Sequence, residues 1–240
     1  MATALAQVMN YFEYPQKGTG QVSYLWNGQP MSLDFSSLQF DWQNMADIYN
    51  SNSTAAQKTA VATLMKACGY AMNSEYGTAA TSASVYLWAP ALVNYFGYAP
   101  SLQPVNRIYY TLSDWENLIY NSLQSGSPVL YSGIGATVGH AFVCDGYSAD
   151  GYFHFNWGWS GLSNGYFLLS ALNPSALGIG GGSGGFNSGQ DCGGEHKVLL
   201  LWRCNDIRHG SARRYYDDLL KRKSQLLACG RLHEPEQQRH

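Results

Sequence analysis

Residues 138–147, Val138-Gly139-His140-Ala141-Phe142-Val143-Cys144-Asp145-Gly146-Tyr147, decide the fold. An apolar run that follows a glycine-rich turn and ends at Asp145-Gly146 has the length and punctuation of a β-strand, here 140–147. Moving outward, the period of two recurs at 128–134, 151–157 and 165–170, with Gly, Asn, Asp and Ser turns between. Upstream the period lengthens. In 2–12, Leu5, Val8, Met9 and Phe12 share one helical face, and in 54–68 Val61, Leu64, Met65 and Cys68 do the same, with Gly69 as the expected stop. Residues 84–96 read as a helix if Pro90 lies in its first turn. Residues 113–124 read as another, with Ser113 and Glu116 as a capping box. Helices that lead and an antiparallel sheet that follows make an α+β chain.

The 240 residues are 45% hydrophobic and 14% aromatic, enough for one substantial core. No apolar run approaches the ~20 residues of a membrane span. A net charge of −2 gives no electrostatic case for a nucleic-acid partner. Charge is uneven along the chain. Residues 1–191 carry four basic and ten acidic side chains, whereas 192–240 carry ten basic and six acidic, with three of the five cysteines. The expected division is therefore a folded domain over 1–191 and a distinct basic tail over 192–240.

Residues 1–191 hold two histidines, His140 and His154. His140 opens an apolar strand and is a candidate base or a structural histidine. His154 alternates with Phe153 and Phe155 and reads as a packed or half-exposed sheet residue. Asn156-Trp157-Gly158-Trp159 follows on the next strand, so a polar group able to orient a histidine lies on its neighbour, as nucleophilic hydrolases require. Gly181-Gly182-Ser183-Gly184-Gly185 matches a nucleophile-elbow pattern only literally, because the flanking strand and helix are missing. No metal-ligand spacing occurs. Cys68 and Cys144 read as buried, inert thiols.

Four blocks in order resemble the streptopain family of secreted bacterial cysteine peptidases. They are Ala2-Thr3-Ala4 with Ala6-Gln7-Val8-Met9; Gly139 to Val143 with Asp145-Gly146; Asn156 to Trp159; and Ala171-Leu172-Asn173-Pro174-Ser175-Ala176-Leu177-Gly178 leading into the glycine-rich loop 178–190. The resemblance implies a papain-like α+β fold. It makes His140 the catalytic base, Asn156 the residue that orients it, and Trp157 the tryptophan beside it. Ser82 and Gly139 become cleft residues, and 168–190 the mobile loop bordering the site. It further implies a protein or peptide substrate with a hydrophobic residue two positions before the scissile bond, an inhibitory pro-segment, secretion, and no metal, organic cofactor, nucleic acid or membrane partner.

The family nucleophile is a cysteine in Gly-Cys-Val-Ala-Thr-Ala, and Met1 stands where that valine would be. The expectation is a chain cut short at its N-terminus, with the cysteine, an upstream oxyanion-hole glutamine, the pro-segment and the signal peptide all lying before residue 1. Cys144 cannot substitute, since four residues along a strand put it ~13 Å from His140. The tail has the character of a frameshift product: one compatible coding of Cys192–Lys197, read one base later, gives Ala-Val-Ala-Ser-Ile, a plausible sheet strand. The chain as written is expected to be an inactive peptidase. The alternative is a pseudo-peptidase that binds peptides without cutting them.

Overall fold

Leu5, Val8 and Met9 fall on one side of a 3.6-residue period and wind Ala2–Phe12 into helix α1. Their burial sets the helix at the centre of the molecule. The structure, a computed structural model, describes residues 1–187 apart from 101 and 103, and the backbone of 198–200. Helix α1 ends where Glu13 turns left-handed and its N–H returns to Asn10.

Strands β1 (Gln21–Trp26) and β2 (Gln29–Asp34) form a hairpin. Its turn residues Asn27 and Gly28 both have positive φ, the geometry that Asn-Gly favours. Helix α2 (Ala55–Ala71) starts on a Thr54–Gln57 capping box. It does not stop at Gly69 as the sequence suggests. Gly69 is helical, and the Tyr76 hydroxyl packs against it, 2.4 Å from where a Cβ would lie. The glycine is there for close approach and not for termination.

Short strands β3 (Glu75–Tyr76) and β4 (Thr81–Ser82) pair antiparallel. Helix α3 (Trp88–Phe96) follows a 3-10 turn, with Pro90 in its first turn, where no N–H is needed, and ends at left-handed Gly97. Strand β5 (Pro104–Asn106) precedes α4 (Leu112–Gln124). The cap of α4 is Thr111, whose hydroxyl accepts from the Asp114 N–H at 3.1 Å. The Ser113–Glu116 box is thereby displaced, because Thr111-x-x-Asp114 offers the same pattern two residues earlier. Ser113 lies exposed within the helix.

The remaining strands are β6 (Val129–Ile134), β7 (Gly139–Tyr147), β8 (Phe153–Asn156), β9 (Gly165–Phe167) and β10 (Val198–Leu200). With β5 they form one sheet in the order β5-β10-β6-β7-β8-β9, antiparallel throughout. Strand β10 lies beyond residue 191, and the rest of the 192–240 stretch is outside the described residues.

Alternation along the strands divides the interior. Leu130, Ala141 and Val143 face the helices, where they join Leu5, Val8, Met9, Leu64 and Trp88. Tyr131, Phe142, Cys144 and Phe155 face the other way, toward Trp115 and Ile119 of α4.

Candidate active site

His140 is the second residue of β7, paired with Gly133, and it shares a strand face with Phe142. The turn before it closes with Gly135 N–H to Val138 O, which brings the half-buried imidazole to the edge of a cleft of about 1260 Å³. The opposite wall includes Met1, Ala2 and Thr3, the first turn of α1. A tertiary fold is required for this juxtaposition, since the facing residues are almost 140 positions apart in the chain.

The His140 Nε2 lies 2.8 Å from the backbone carbonyl of Trp157. A carbonyl can only accept, so Nε2 carries the proton and the ring's basic lone pair is on Nδ1. Burial pulls the His140 pKa down from 6.5 to about 4, and the bond to Trp157 opposes that shift. The imidazole is neutral at pH 7, with Nδ1 free to accept a proton. A negative partner placed beside it would raise its pKa again.

The peptide between Trp157 and Gly158 controls that bond. Being planar, it points its C=O and its N–H in opposite directions. The C=O meets His140, and the Gly158 N–H donates to Asn156 Oδ1 at 3.0 Å. Asn156 makes no hydrogen bond to His140 itself; it holds the peptide plane that does. Trp157 is fully buried, its indole N–H donating to Ser163 O at 2.9 Å. The indole that covers the imidazole is that of Trp159, stacked at 4.7 Å and 20°. Sequence reasoning left Trp159 without a role, and the only available signal was its alternation with Trp157.

Trp159 also organises the glycine-rich loop. Its Nε1 donates to Ile179 O at 3.0 Å, and Cβ atoms at Gly178 and Gly181 would lie 2.4 and 2.9 Å from its ring. The loop, expected to be mobile, is held through Asn187 by the Ala136 N–H to Ser183 O and Phe186 N–H to Leu172 O bonds. Its glycines let the backbone lie flat on an indole.

Ser82 and Gly139 both line the cleft and are exposed. The Ser82 hydroxyl donates to Glu75 Oε2 at 3.0 Å. Met31, Met65, Tyr70 and Tyr76 make an apolar wall on the same side. His154 is removed from all this, its Nδ1 2.5 Å from Asp145 Oδ1 on the sheet's outer surface.

Neither described cysteine can serve as nucleophile. Cys144 is fully buried opposite Val129 and Phe155, and Cys68 is fully buried with its Sγ 3.8 Å from Met9 Sδ. Burial raises both thiols above their ordinary range, so neither presents a thiolate. Among the described residues no group of three His, Cys, Asp or Glu side chains is placed to hold a metal.

Residues 1–167 match the peptidase C10 family. Streptopain of Streptococcus pyogenes serotype M28 is 40% identical over 198 residues, which are 79% of this chain and 50% of that protein. The thiol protease/hemagglutinin PrtT of Porphyromonas gingivalis is 33% identical over 194 residues, 80% of this chain and 22% of that protein. The chain thus spans about half the length of the streptopains it matches. Among solved structures, the active wild-type interpain A cysteine protease of Prevotella intermedia superposes with a TM-score of 0.72 at 36% identity, over 82% of this chain and 80% of that one. A prointerpain A fragment from the same organism gives 0.66 at 34% identity, over 82% of this chain and 60% of that one.

Proposed function

The chain belongs to the peptidase C10 family and has the α+β fold of papain-like cysteine proteases, and on that premise we propose that it is the part of a cysteine-type endopeptidase that carries the base and the substrate cleft. The observation behind this reading is the His140 to Trp157 carbonyl bond, which leaves Nδ1 as proton acceptor on a cleft wall that faces the start of α1.

The thiol belongs, in this reading, to a cysteine joined directly ahead of α1, with Met1 at the position of the following valine. There the unpaired N–H groups of the helix start favour a thiolate. His140 Nδ1 takes the thiol proton, and the sulfur attacks the peptide carbonyl carbon. The tetrahedral intermediate collapses as the carbon–nitrogen bond breaks, and the imidazolium passes its proton to the leaving amine. Water, deprotonated by His140, then hydrolyses the thioester. Asn156 holds the peptide plane that keeps Nε2 occupied, and Trp157 supplies the carbonyl. Ser82 and Gly139 border the substrate, and the apolar wall suits a hydrophobic residue two positions before the cut bond. No metal or organic cofactor enters any step.

Among the described residues, Cys68 and Cys144 are both sealed in the core and supply no nucleophile. The same likeness supports a secreted enzyme made with a pro-segment. No helix among the described residues is long and apolar enough to cross a membrane. The basic stretch 192–240 is read as foreign to the family apart from the strand it lends the sheet, and a nucleotide read across codon 192 tests that.

The deciding experiment compares residues 1–240 with the same chain in which Met1 is Val, preceded by the cysteine and by an upstream segment that carries the oxyanion-hole glutamine. Hydrolysis of a protein substrate only by the second, abolished by His140→Ala, is the expected result. Peptide binding by both, with cleavage by neither, would sink the peptidase reading and favour the pseudo-peptidase.

A further inference from the structure

We propose that Gln7, on α1, is a positioning residue that locks the His140-bearing half of the cleft to the helix facing it. This rests on the reading of His140 as the base, but it is carried by its own hydrogen-bond network. Gln7 Nε2 donates to Asn156 Oδ1 at 3.3 Å, across 149 residues of sequence. The same oxygen accepts the Gly158 N–H at 3.0 Å.

The donor directions are not interchangeable. A backbone N–H can only donate, so Gly158 requires the oxygen of Asn156, and not its amide nitrogen, to face it. With that oxygen fixed, Gln7 must present its Nε2. Its own Oε1 is buried and has no hydrogen-bond partner among the described residues. A leucine or methionine would avoid that orphaned carbonyl, so the N–H is what the amide contributes here.

The consequence for the site follows from planarity. The Gly158 N–H and the Trp157 C=O belong to one peptide unit, and that C=O holds His140 Nε2 at 2.8 Å. Gln7 therefore polarises and anchors the acceptor that orients this unit, and it does so from the helix whose first turn faces His140. A Cβ at Gly158 would meet Thr3 Cγ2 at 3.4 Å, so the turn and the helix are also in contact there. Gln7 touches neither substrate nor the imidazole. It sets the register between helix and base.

Nitrogen-15 NMR of His140 in the full chain tests this without any need for catalysis, because the tautomer reports the Trp157 bond directly. Wild type should show one tautomer, protonated at Nε2. Gln7→Glu keeps the shape but points a carboxylate at the Asn156 oxygen; Gln7→Leu removes the donor. Both should raise the Nδ1-protonated population about tenfold, the Glu variant more than the Leu. Met9→Leu, a volume-conserving change on the same helix, should leave the spectrum unaltered. The proposal is overturned if the Glu variant folds with the wild-type signature, or if Met9→Leu shifts it equally. It is also overturned if both Gln7 variants fail to fold while Met9→Leu folds, since the role would then be structural.

Discussion

The two sides of the sheet are built from different materials. Toward the helices, the core is mostly small and aliphatic: Ala4, Leu5, Val8, Leu64, Ala67 and Leu92. On the α4 side rings dominate, whereas on the α1–α3 side they form one group, Tyr95, Phe35, Phe96, Phe40 and Trp42, among the smaller residues. Tyr131 lies over Phe142 at 5.4 Å, Phe142 meets Trp157 at 4.5 Å, and Trp157 stacks on Trp159 at 5.8 Å. His140, on Trp159, is the last ring of that set. Aliphatic helix packing tolerates small shifts, whereas large planar rings in contact fix orientation as well as distance. His140 sits at the end of the ring-rich side, and α1 is tied across to the neighbouring turn by the Gln7–Asn156 hydrogen bond.

The largest expected effect separates chemistry from packing. In the chain carrying the added cysteine, His140→Ala should lower kcat about 10²- to 10⁴-fold, whatever stability is lost with the half-buried ring. A folded His140→Ala variant with undiminished kcat would mean that His140 is a core residue and not a base. Truncation within each core comes next. Phe142→Ala should cost about 3–5 kcal/mol in urea unfolding. Leu5→Ala should cost about 2–5 kcal/mol, but only the Phe142 change should also disturb the His140 NMR signals. If both disturb them alike, the ring set is not what orients the base.

Acid gives a smaller effect of definite sign. The folded pKa of His140, about 4, lies below the ordinary 6.5. Between those values the unfolded chain takes up a proton that the folded chain refuses. Its contribution to stability is therefore full above 6.5 and is lost as the pH falls through 4, by about 3 kcal/mol at most. Urea unfolding at a series of pH values should show this slope, and His140→Gln should flatten it. Smallest is the cap of α4. Thr111→Ala should destabilise by about 1 kcal/mol, and Ser113→Ala by no more than a few tenths; the reverse order would restore the cap to Ser113.

Much of this was legible beforehand because it is local. Helix α1, the Asn27-Gly28 turn and the strands around His140 follow from period and turn chemistry. Where local signals were ambiguous, neighbours decided. Gly69 looks like a helix stop, but it is a contact point for Tyr76 from a different element. Ser113 and Thr111 are both fit to cap α4, and Thr111 does so, its hydroxyl accepting the Asp114 N–H. Strands β3, β4, β5 and β10 are only two or three residues long and carry no period at all; pairing alone makes them strands.

The site divides in the same way. His140, Asn156, Trp157, Ser82 and Gly139 could be picked out in the sequence by motif and resemblance. Their wiring could not, because it runs through a backbone carbonyl and a peptide plane that have no side-chain signature. The sequence by itself determined the α+β order and the family resemblance, and through that resemblance it singled out His140 as the candidate base, since motifs are written in residue type and spacing. Only the tertiary structure decided that Asn156 reaches the imidazole through the Trp157–Gly158 peptide, that Trp159 covers it, and that Gln7 fastens the turn to α1. These contacts span from two positions, Asn156 to Gly158, to 149, Gln7 to Asn156; they depend on where folding puts the backbone, and no local pattern encodes that.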